Sequence, residues 1–166
     1  MFDVSWRSQL RIGDMLVPQR LIDCIADDSM QNVSDSAIHR AIPRLDAANN
    51  INLITSIDYL IGGGNNTINS GYEDHEFIGM HYGRDHTGKV ELPLLDLERS
   101  FFIGYGRRDG DDTWLALHYA ESSEAEPSVV TNAWIPPTTD GRQCEWYIVQ
   151  STFGQFADCL GIASSS

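Results

Sequence analysis

Two apolar runs that flank an Asp-Gly pair constrain the fold of this chain more than any other feature of its sequence. The runs are Phe101–Ile103 and Thr113–Leu117, and the segment between them, Arg107–Asp112, contains Asp109-Gly110. Because glycine accepts positive φ in a tight turn, an Asp-Gly pair between two apolar runs predicts a β-hairpin. Both alternating faces of the second run are apolar, which indicates a strand inside a sheet that is covered on both sides.

The residues before this hairpin predict helices. Apolar residues at helical spacing in 21–25 follow Pro18, and a second short helix is expected to begin at Ser34 and to end before Pro43. The most regular amphipathic pattern lies at residues 53–61 and is followed by Gly62-Gly63-Gly64. This pattern predicts a third helix that the glycines terminate.

The residues after the hairpin predict more strands and a closing helix. Strands are predicted at 128–135 and 145–150, another at 76–82, and loops at 120–127 and 136–141. Thr152 stands three residues before Gln155, which is the spacing of a capping box, and Gly161 stands where a helix commonly ends. The predicted class is α+β, with a mainly antiparallel central sheet and with N-terminal helices and a C-terminal helix packed around it. At 166 residues the chain is expected to form a single domain, 1–166.

The charge of the chain restricts the partners that it can have. It contains 24 acidic residues against 11 lysines and arginines, for a net charge of −13. Phosphate contacts need clustered Lys and Arg, so nucleic acid is not an expected partner, and neither is an anionic membrane surface. The same charge would steer a basic partner towards the chain, although an acidic surface can also serve solubility alone.

The cysteine pattern and the apolar stretches predict a cytoplasmic protein. There are three cysteines and no C-x-x-C pair, so neither a disulfide framework nor a zinc knuckle is expected. No stretch approaches the roughly 18 apolar residues of a membrane span, and the first residues lack the pattern of a signal peptide. No cofactor is expected.

Three carboxylates at the predicted hairpin turn have three possible interpretations: a metal site, a solvated turn or a patch that faces a partner. They are Asp109, Asp111 and Asp112. His118 would lie about 20 Å further along an extended strand, too far to share one metal ion with Asp112. No metal site is therefore predicted there. A zinc site built from His75, His81 and His86 is disfavoured for the same reason of distance.

An ordered set of short motifs resembles a known family. The motifs are Leu92-Pro93 with Leu95-Asp96-Leu97-Glu98, Phe102-Ile103, Gly110-Asp111-Asp112, Leu115-Ala116-Leu117, Pro127-x-Val129-Val130, Trp134, Trp146 and Ser151-x-Phe153-x-x-Phe156. In this order, over residues 92–160, they resemble the SMI1/KNR4 (SUKH) superfamily. One departure is Leu117-His118, where many relatives have Leu-Asp.

The resemblance implies antiparallel strands with helices around them and a role without catalysis. Its bacterial members are immunity proteins that bind and neutralise toxins, often nucleases, and its fungal members are signalling and scaffold proteins. The expected function is that of a cytosolic immunity protein that binds a basic toxin domain directly. The alternative is a regulatory or scaffold interaction module unrelated to toxins. The oligomeric state is left open.

The expected contact surface combines acidic residues with one aromatic residue. Between Asp109 and Glu126 the chain has six acidic residues and no Lys or Arg. Trp134, which precedes Pro136-Pro137, is either a core residue or an interface anchor at a surface rim. The candidate partner-binding residues are Asp109, Asp111, Asp112, Glu121, Glu124, Glu126 and Trp134.

Overall fold

Residues 10–63, 99–108, 113–138 and 141–164 are described by the structure, which is a computed structural model. A small hairpin comes first and consists of β1 (Arg11–Ile12) and β2 (Met15–Leu16). The main sheet has five antiparallel strands in chain order, each paired with the next. They are β3 (Ile51–Leu53), β4 (Ser100–Gly106), β5 (Trp114–His118), β6 (Ser128–Thr138) and β7 (Gly141–Gln150). The predicted α+β class with a mainly antiparallel sheet is confirmed.

Three helices end where their sequences predict. They are α1 (Gln19–Ala26), α2 (Asp35–Ala41) and α3 (Phe153–Cys159). Ser34 caps α2 by accepting the Ala37 N–H at 3.2 Å, and Thr152 caps α3 by accepting the Gln155 N–H at 3.1 Å. Such caps satisfy N–H groups that the first turn of a helix leaves without a partner.

One face of the sheet and the three helices enclose the apolar core. Leu115 and Leu117 occupy alternate positions of β5, and Tyr119 is the residue directly after that strand. All three are buried in this core. The helices contribute Leu21, Ile25, Ile38, Ala41, Phe153 and Phe156.

Arg20 of α1 ties that helix to both ends of α3. Its guanidinium donates to the carbonyl oxygens of Gly154 at 2.7 Å and Ile162 at 3.0 Å, and it reaches the Asp158 carboxylate at 2.7 Å. The two carbonyl groups lie at the beginning of the helix and beyond its end, so one side chain fixes the orientation of α3.

The second face of the sheet is rich in aromatic residues. Phe102 of β4 stacks on Trp114 of β5 with ring centroids 4.5 Å apart. Ala116 and His118 alternate with the core residues of β5 and are buried, as the two-sided apolar pattern predicts. The Nδ1 atom of His118 lies 3.0 Å from the Ser100 hydroxyl oxygen. This pair joins β4 to β5 and belongs to the interior of the sheet.

The predicted helix at 53–61 is wrong over its first half. Residues Ile51–Leu53 form strand β3, and only a helical turn at 57–58 that continues as a π-helix, Tyr59–Gly63, follows. Leu53 pairs with Gly104 of β4, where a β-bulge interrupts the register. A Cβ atom at Gly104 would lie 2.8 Å from Ile51 Cγ2. The strand therefore depends on a close approach to a distant glycine, which local periodicity does not show.

The predicted loop at 136–141 is also partly wrong. Strand β6 continues through Pro136 and Pro137 to Thr138, and β7 begins at Gly141. Pairing of β5 with β6 ends at Leu115 and Thr131, so the distal part of β6 pairs only with β7 among the described residues. Proline lacks an N–H donor, and a strand with one open edge tolerates it.

The predicted β4–β5 hairpin is confirmed as a pairing, while its turn lies outside the described residues. The Gly106 N–H donates to the Thr113 carbonyl oxygen at 2.7 Å, so residues 107–112 make the connection. The predicted strand at 76–82 and the motif at 92–98 also lie outside the described ranges. No helix within those ranges has the length and the apolar composition needed to cross a membrane.

Candidate partner-binding surface

The acidic loop, residues 120–127, connects β5 to β6 and displays three carboxylates. Glu121, Glu124 and Glu126 are all exposed, while Tyr119 and Pro127 at its two ends are buried. Two local hydrogen bonds shape the loop, because the Ser122 hydroxyl accepts the Glu124 N–H at 3.2 Å and the Ser122 carbonyl accepts the Ala125 N–H at 3.1 Å. The loop is therefore a defined turn with its charges pointing into solvent.

The β1–β2 hairpin holds this loop in place. The Leu16 N–H donates to the Ser123 carbonyl oxygen at 2.8 Å, and the Tyr119 hydroxyl donates to the Leu16 carbonyl oxygen. Both hydrogen bonds are made by Leu16, so the acidic loop and Tyr119, which follows β5, are attached to the same residue of β2. A loop that is ordered before binding loses less conformational entropy when a partner arrives.

Among the described residues, a cation lies beside one of the three glutamates. Arg11 of β1 reaches the Glu124 carboxylate at 2.6 Å, and the two side chains are 38% and 65% exposed, so solvent screens the pair. In the described part of the chain, no cation lies within salt-bridge distance of Glu121 or Glu126. Burial, and after it the charge of Glu126, raises the pKa of Tyr119 above its usual range. The side chains of Glu121 and Glu126 are exposed to solvent.

The residues that flank the other three candidate carboxylates lie at the end of the sheet away from the acidic loop. Residues 108 and 113, which flank the carboxylates at 109–112, lie at the opposite end of β5 from the acidic loop. Asp109, Asp111 and Asp112 themselves lie outside the described residues. The predicted strand at 113–117 already lies between the two acidic segments.

Trp134 lies on the part of β6 that extends past β5, where it pairs with Cys144 of β7. Its backbone is six residues beyond Ser128, a rise of about 20 Å along the strand. The structure therefore brings Trp134 to the same end of the sheet as residues 108 and 113, and away from the three glutamates of the acidic loop.

Sequence reasoning did not predict that the β1–β2 hairpin supports the acidic loop. By sequence, residues 1–15 were ambiguous between a short strand and an ordered arm, and neither reading showed that Arg11 and Leu16 make the contacts that hold Ser123 and Glu124. The available signal was Gly13-Asp14 between Ile12 and Met15, a short turn in which Gly13 has φ of 60°. Glycine adopts that conformation without the steric cost that a side chain brings.

One polar cleft of about 520 Å³ lies beside the base of the β4–β5 hairpin, lined in part by Asp35, His39, Arg107 and Arg108. Arg107 pairs with Asp35 at 3.2 Å. His39 Nε2 lies 2.9 Å from the Asn49 carbonyl oxygen and so carries a proton there, because a carbonyl only accepts. These contacts tie the helix to the hairpin and leave that nitrogen unable to act as a base.

The described residues contain no cluster of three or more His, Cys, Asp or Glu side chains arranged to hold a metal ion. His75, His81 and His86 lie outside those residues. Cys24 is buried, and burial is the main cause that raises the pKa of its thiol, whereas Cys159 is exposed.

Comparisons with models of known protein families, with curated proteins and with solved structures find no match. The resemblance to the SMI1/KNR4 superfamily therefore remains an expectation from the motifs of the sequence.

Proposed function

We propose that this protein binds another protein without catalysis, and that it acts as an immunity protein of the SMI1/KNR4 type against a basic, nuclease-type toxin. The observation that carries the proposal is the acidic loop, which displays three exposed glutamates and is hydrogen-bonded to β2 through Ser123 and the adjacent Tyr119, on a chain of net charge −13. Charge and order occur together at this surface, which is what electrostatic recognition requires.

The charge explains why a nuclease is the partner class proposed. A nuclease must hold phosphate groups and therefore presents clustered Lys and Arg side chains. An acidic protein that covers those side chains blocks the substrate site and is attracted to it from a distance. Such steering raises the association rate more than the affinity, and it weakens as salt increases.

Tight binding also needs a desolvated aromatic anchor. Hot spots of protein interfaces are enriched in Trp, Tyr and Arg. Trp134 is the candidate anchor because its strand segment extends past the rest of the sheet. The acidic loop and Trp134 lie at opposite ends of β6, so a partner that contacts both covers one long side of the molecule.

Co-expression with a toxin encoded by an adjacent gene tests the proposal. Cells that carry the toxin and the unaltered protein should survive, and cells with the toxin alone should die. A variant with Glu121, Glu124 and Glu126 all changed to Gln should protect poorly. A matched control changes Asp23, Asp28 and Asp58 to Asn, which removes the same number of charges away from the loop and should protect fully.

Two results would contradict the proposal. Survival of cells that carry only the neighbouring gene product would show that it is no toxin. Equal loss of protection in the loop variant and in the control would show that total charge matters and the acidic loop does not.

A further inference from the structure

A polar cavity of about 140 Å³ lies between the segment 44–49 and the sheet, at the end of the sheet away from the acidic loop. Its wall is formed by that segment, by Thr113 directly before β5, and by Thr131 and Tyr147, which pair with each other on β6 and β7. A cavity of about 150 Å³ holds one benzene molecule, so this cavity suits a ligand of about six non-hydrogen atoms.

The inner wall of the cavity contains uncharged polar side chains. Asn49, Thr113 and Thr131 line it and are 5%, 8% and 1% exposed. Polar groups at this depth need hydrogen-bond partners, because burial without them costs free energy. A cavity with several buried polar side chains that converge on it is typical of a binding site.

Structural water is the alternative occupant of the cavity. A water molecule needs about 10–15 Å³ of such a volume, so the cavity has room for about ten. A buried water makes about three hydrogen bonds, and one or two waters would be sufficient for the side chains of the inner wall. The cavity is therefore larger than bridging water requires.

The existing hydrogen bonds determine what the inner wall can offer to a ligand. The Thr131 hydroxyl donates its proton to the Trp114 carbonyl oxygen at 2.7 Å, so its oxygen can only accept from a ligand. The Asn49 side-chain oxygen accepts two backbone N–H groups, one of them from Arg108 at 3.1 Å. The Asn49 NH₂ group donates to the Thr113 hydroxyl oxygen at 3.4 Å, which leaves the Thr113 proton as a donor. A ligand that fits this wall must both donate and accept.

The charged side chains at the mouth of the cavity offset each other. Arg44 reaches the Glu145 carboxylate at 3.1 Å, and its guanidinium lies 4.2 Å from the centroid of the Tyr147 ring. Asp46 lies 4.0 Å from Arg108, and all four charged side chains are between 40% and 63% exposed. A charged ligand would lose its hydration without meeting an opposite charge on the inner wall.

We propose that this cavity binds a small uncharged ligand of about six non-hydrogen atoms that carries hydroxyl or primary amide groups. Such groups both donate and accept, as the inner wall requires, whereas a carboxylate only accepts and an ammonium group only donates. The inference does not depend on the proposed function, because the cavity contains no residue of the acidic loop.

Glycerol, glycerate and serinol test the site as matched three-carbon probes, since they are uncharged, anionic and cationic at neutral pH. In an NMR titration of the full chain, glycerol should cause saturable amide shifts at Arg108, Thr113 and Thr131 and none in the acidic loop. Glycerate and serinol should bind at least about tenfold more weakly, because each would bury a charge without a partner.

Two variants test the wall of the cavity. Thr113→Val keeps the shape of the side chain and removes its hydroxyl group, so it should weaken glycerol binding about fivefold, the scale of one net hydrogen bond. Thr55→Val is the matched control, because Thr55 is exposed and does not line the cavity, and it should leave binding unchanged. Ala133→Leu should fill the cavity and abolish the saturable shifts without removing a hydrogen-bonding group. Circular dichroism confirms that each variant folds, and either cavity variant alone decides the test.

Three results would overturn the inference. The first is a set of shifts that grow linearly with glycerol along the whole chain, which would leave the cavity to water. The second is binding of glycerate or serinol as tight as that of glycerol. The third is equal binding of glycerol by the unaltered protein and by a folded Thr113→Val or Ala133→Leu variant.

Discussion

Removing the hydroxyl group of Tyr119 should loosen the acidic loop while leaving the core packed. The ring of Tyr119 is 1% exposed and lies 6.0 Å from Phe101, and a phenylalanine would keep those contacts. The lost interaction is the hydrogen bond to the carbonyl group of Leu16, which is left partly buried without that donor. Loss of a buried hydrogen-bond partner costs about 1–3 kcal/mol, so Tyr119→Phe should lower the free energy of unfolding by about that amount.

Urea denaturation measures this loss directly, and the m-value should stay unchanged because the exposed area on unfolding is the same. For a chain of this length each kcal/mol corresponds to a fall of about 2–4 °C in Tm. Hydrogen exchange adds a local readout, because the Leu16 amide donates to Ser123 and should exchange faster in the variant. Tyr105→Phe is the matched control: Tyr105 is 38% exposed on β4, and its variant should change stability by less than about 0.5 kcal/mol.

A loss of stability in Tyr119→Phe no larger than in Tyr105→Phe would refute this reasoning. So would a lower stability without faster exchange at Leu16, since the hydroxyl would then support the core and not the loop.

Three further changes test other contacts. Gly104→Ala should destabilise the protein by about 1–3 kcal/mol, because its Cβ atom would lie 2.8 Å from Ile51 Cγ2. Gly154→Ala within α3 should be neutral or should stabilise the protein by up to about 1 kcal/mol. Thermal unfolding of both variants measures the difference, and equal effects on Tm would contradict the prediction. Arg20→Met should lower the free energy of unfolding, measured with urea, by about 1.5–3 kcal/mol, because the carbonyl groups of Gly154 and Ile162 lose a charged hydrogen-bond donor. This decrease should depend little on salt concentration, because the exposed ion pair with Asp158 contributes only a small part of it. Burial and the charge of Glu126 raise the pKa of Tyr119, so its neutral form is favoured in the folded state. The contribution of Tyr119 to stability should be constant below about pH 10 and should be lost as pH rises above it, and Tyr119→Phe should flatten that part of the fall.

Local signals were sufficient for α1, α2 and α3 and for the centre of the sheet. The cap at Thr152 and the glycine at position 161, with φ of 78°, act within a few residues, so the sequence predicts the ends of α3 well. Strand β5 was predictable because a sheet interior requires apolar residues on both faces, and Leu117 and Ala116 supply them.

The errors came from contacts between distant residues. Residues 53–61 match a helical stripe, but Ile51 and Leu53 reach pairing partners on β4 more than fifty residues away, and Gly104 leaves room for them. Pro136-Pro137 suggests a loop by composition, but its strand has an open edge at that point, which local sequence does not reveal. In both cases tertiary pairing overrides a local preference.

The composition of the candidate surface and the strand between its two acidic segments were predictable, but the support of the acidic loop was not. The sequence shows that residues 109–126 are acidic, and the structure separates the loop glutamates from residues 108 and 113 by the length of β5. The support from Arg11 and Leu16 was not predictable, because it connects residues more than a hundred positions apart.

The salt dependence of the association rate tests the central claim most directly. The measurement compares the unaltered protein, the variant with Gln at 121, 124 and 126, and the matched Asp→Asn control, each against the neighbouring toxin over a range of ionic strength. The account predicts a rate for the unaltered protein and the control that falls steeply with salt, and a slower rate with a shallower slope for the loop variant. Identical slopes for all three proteins would contradict it.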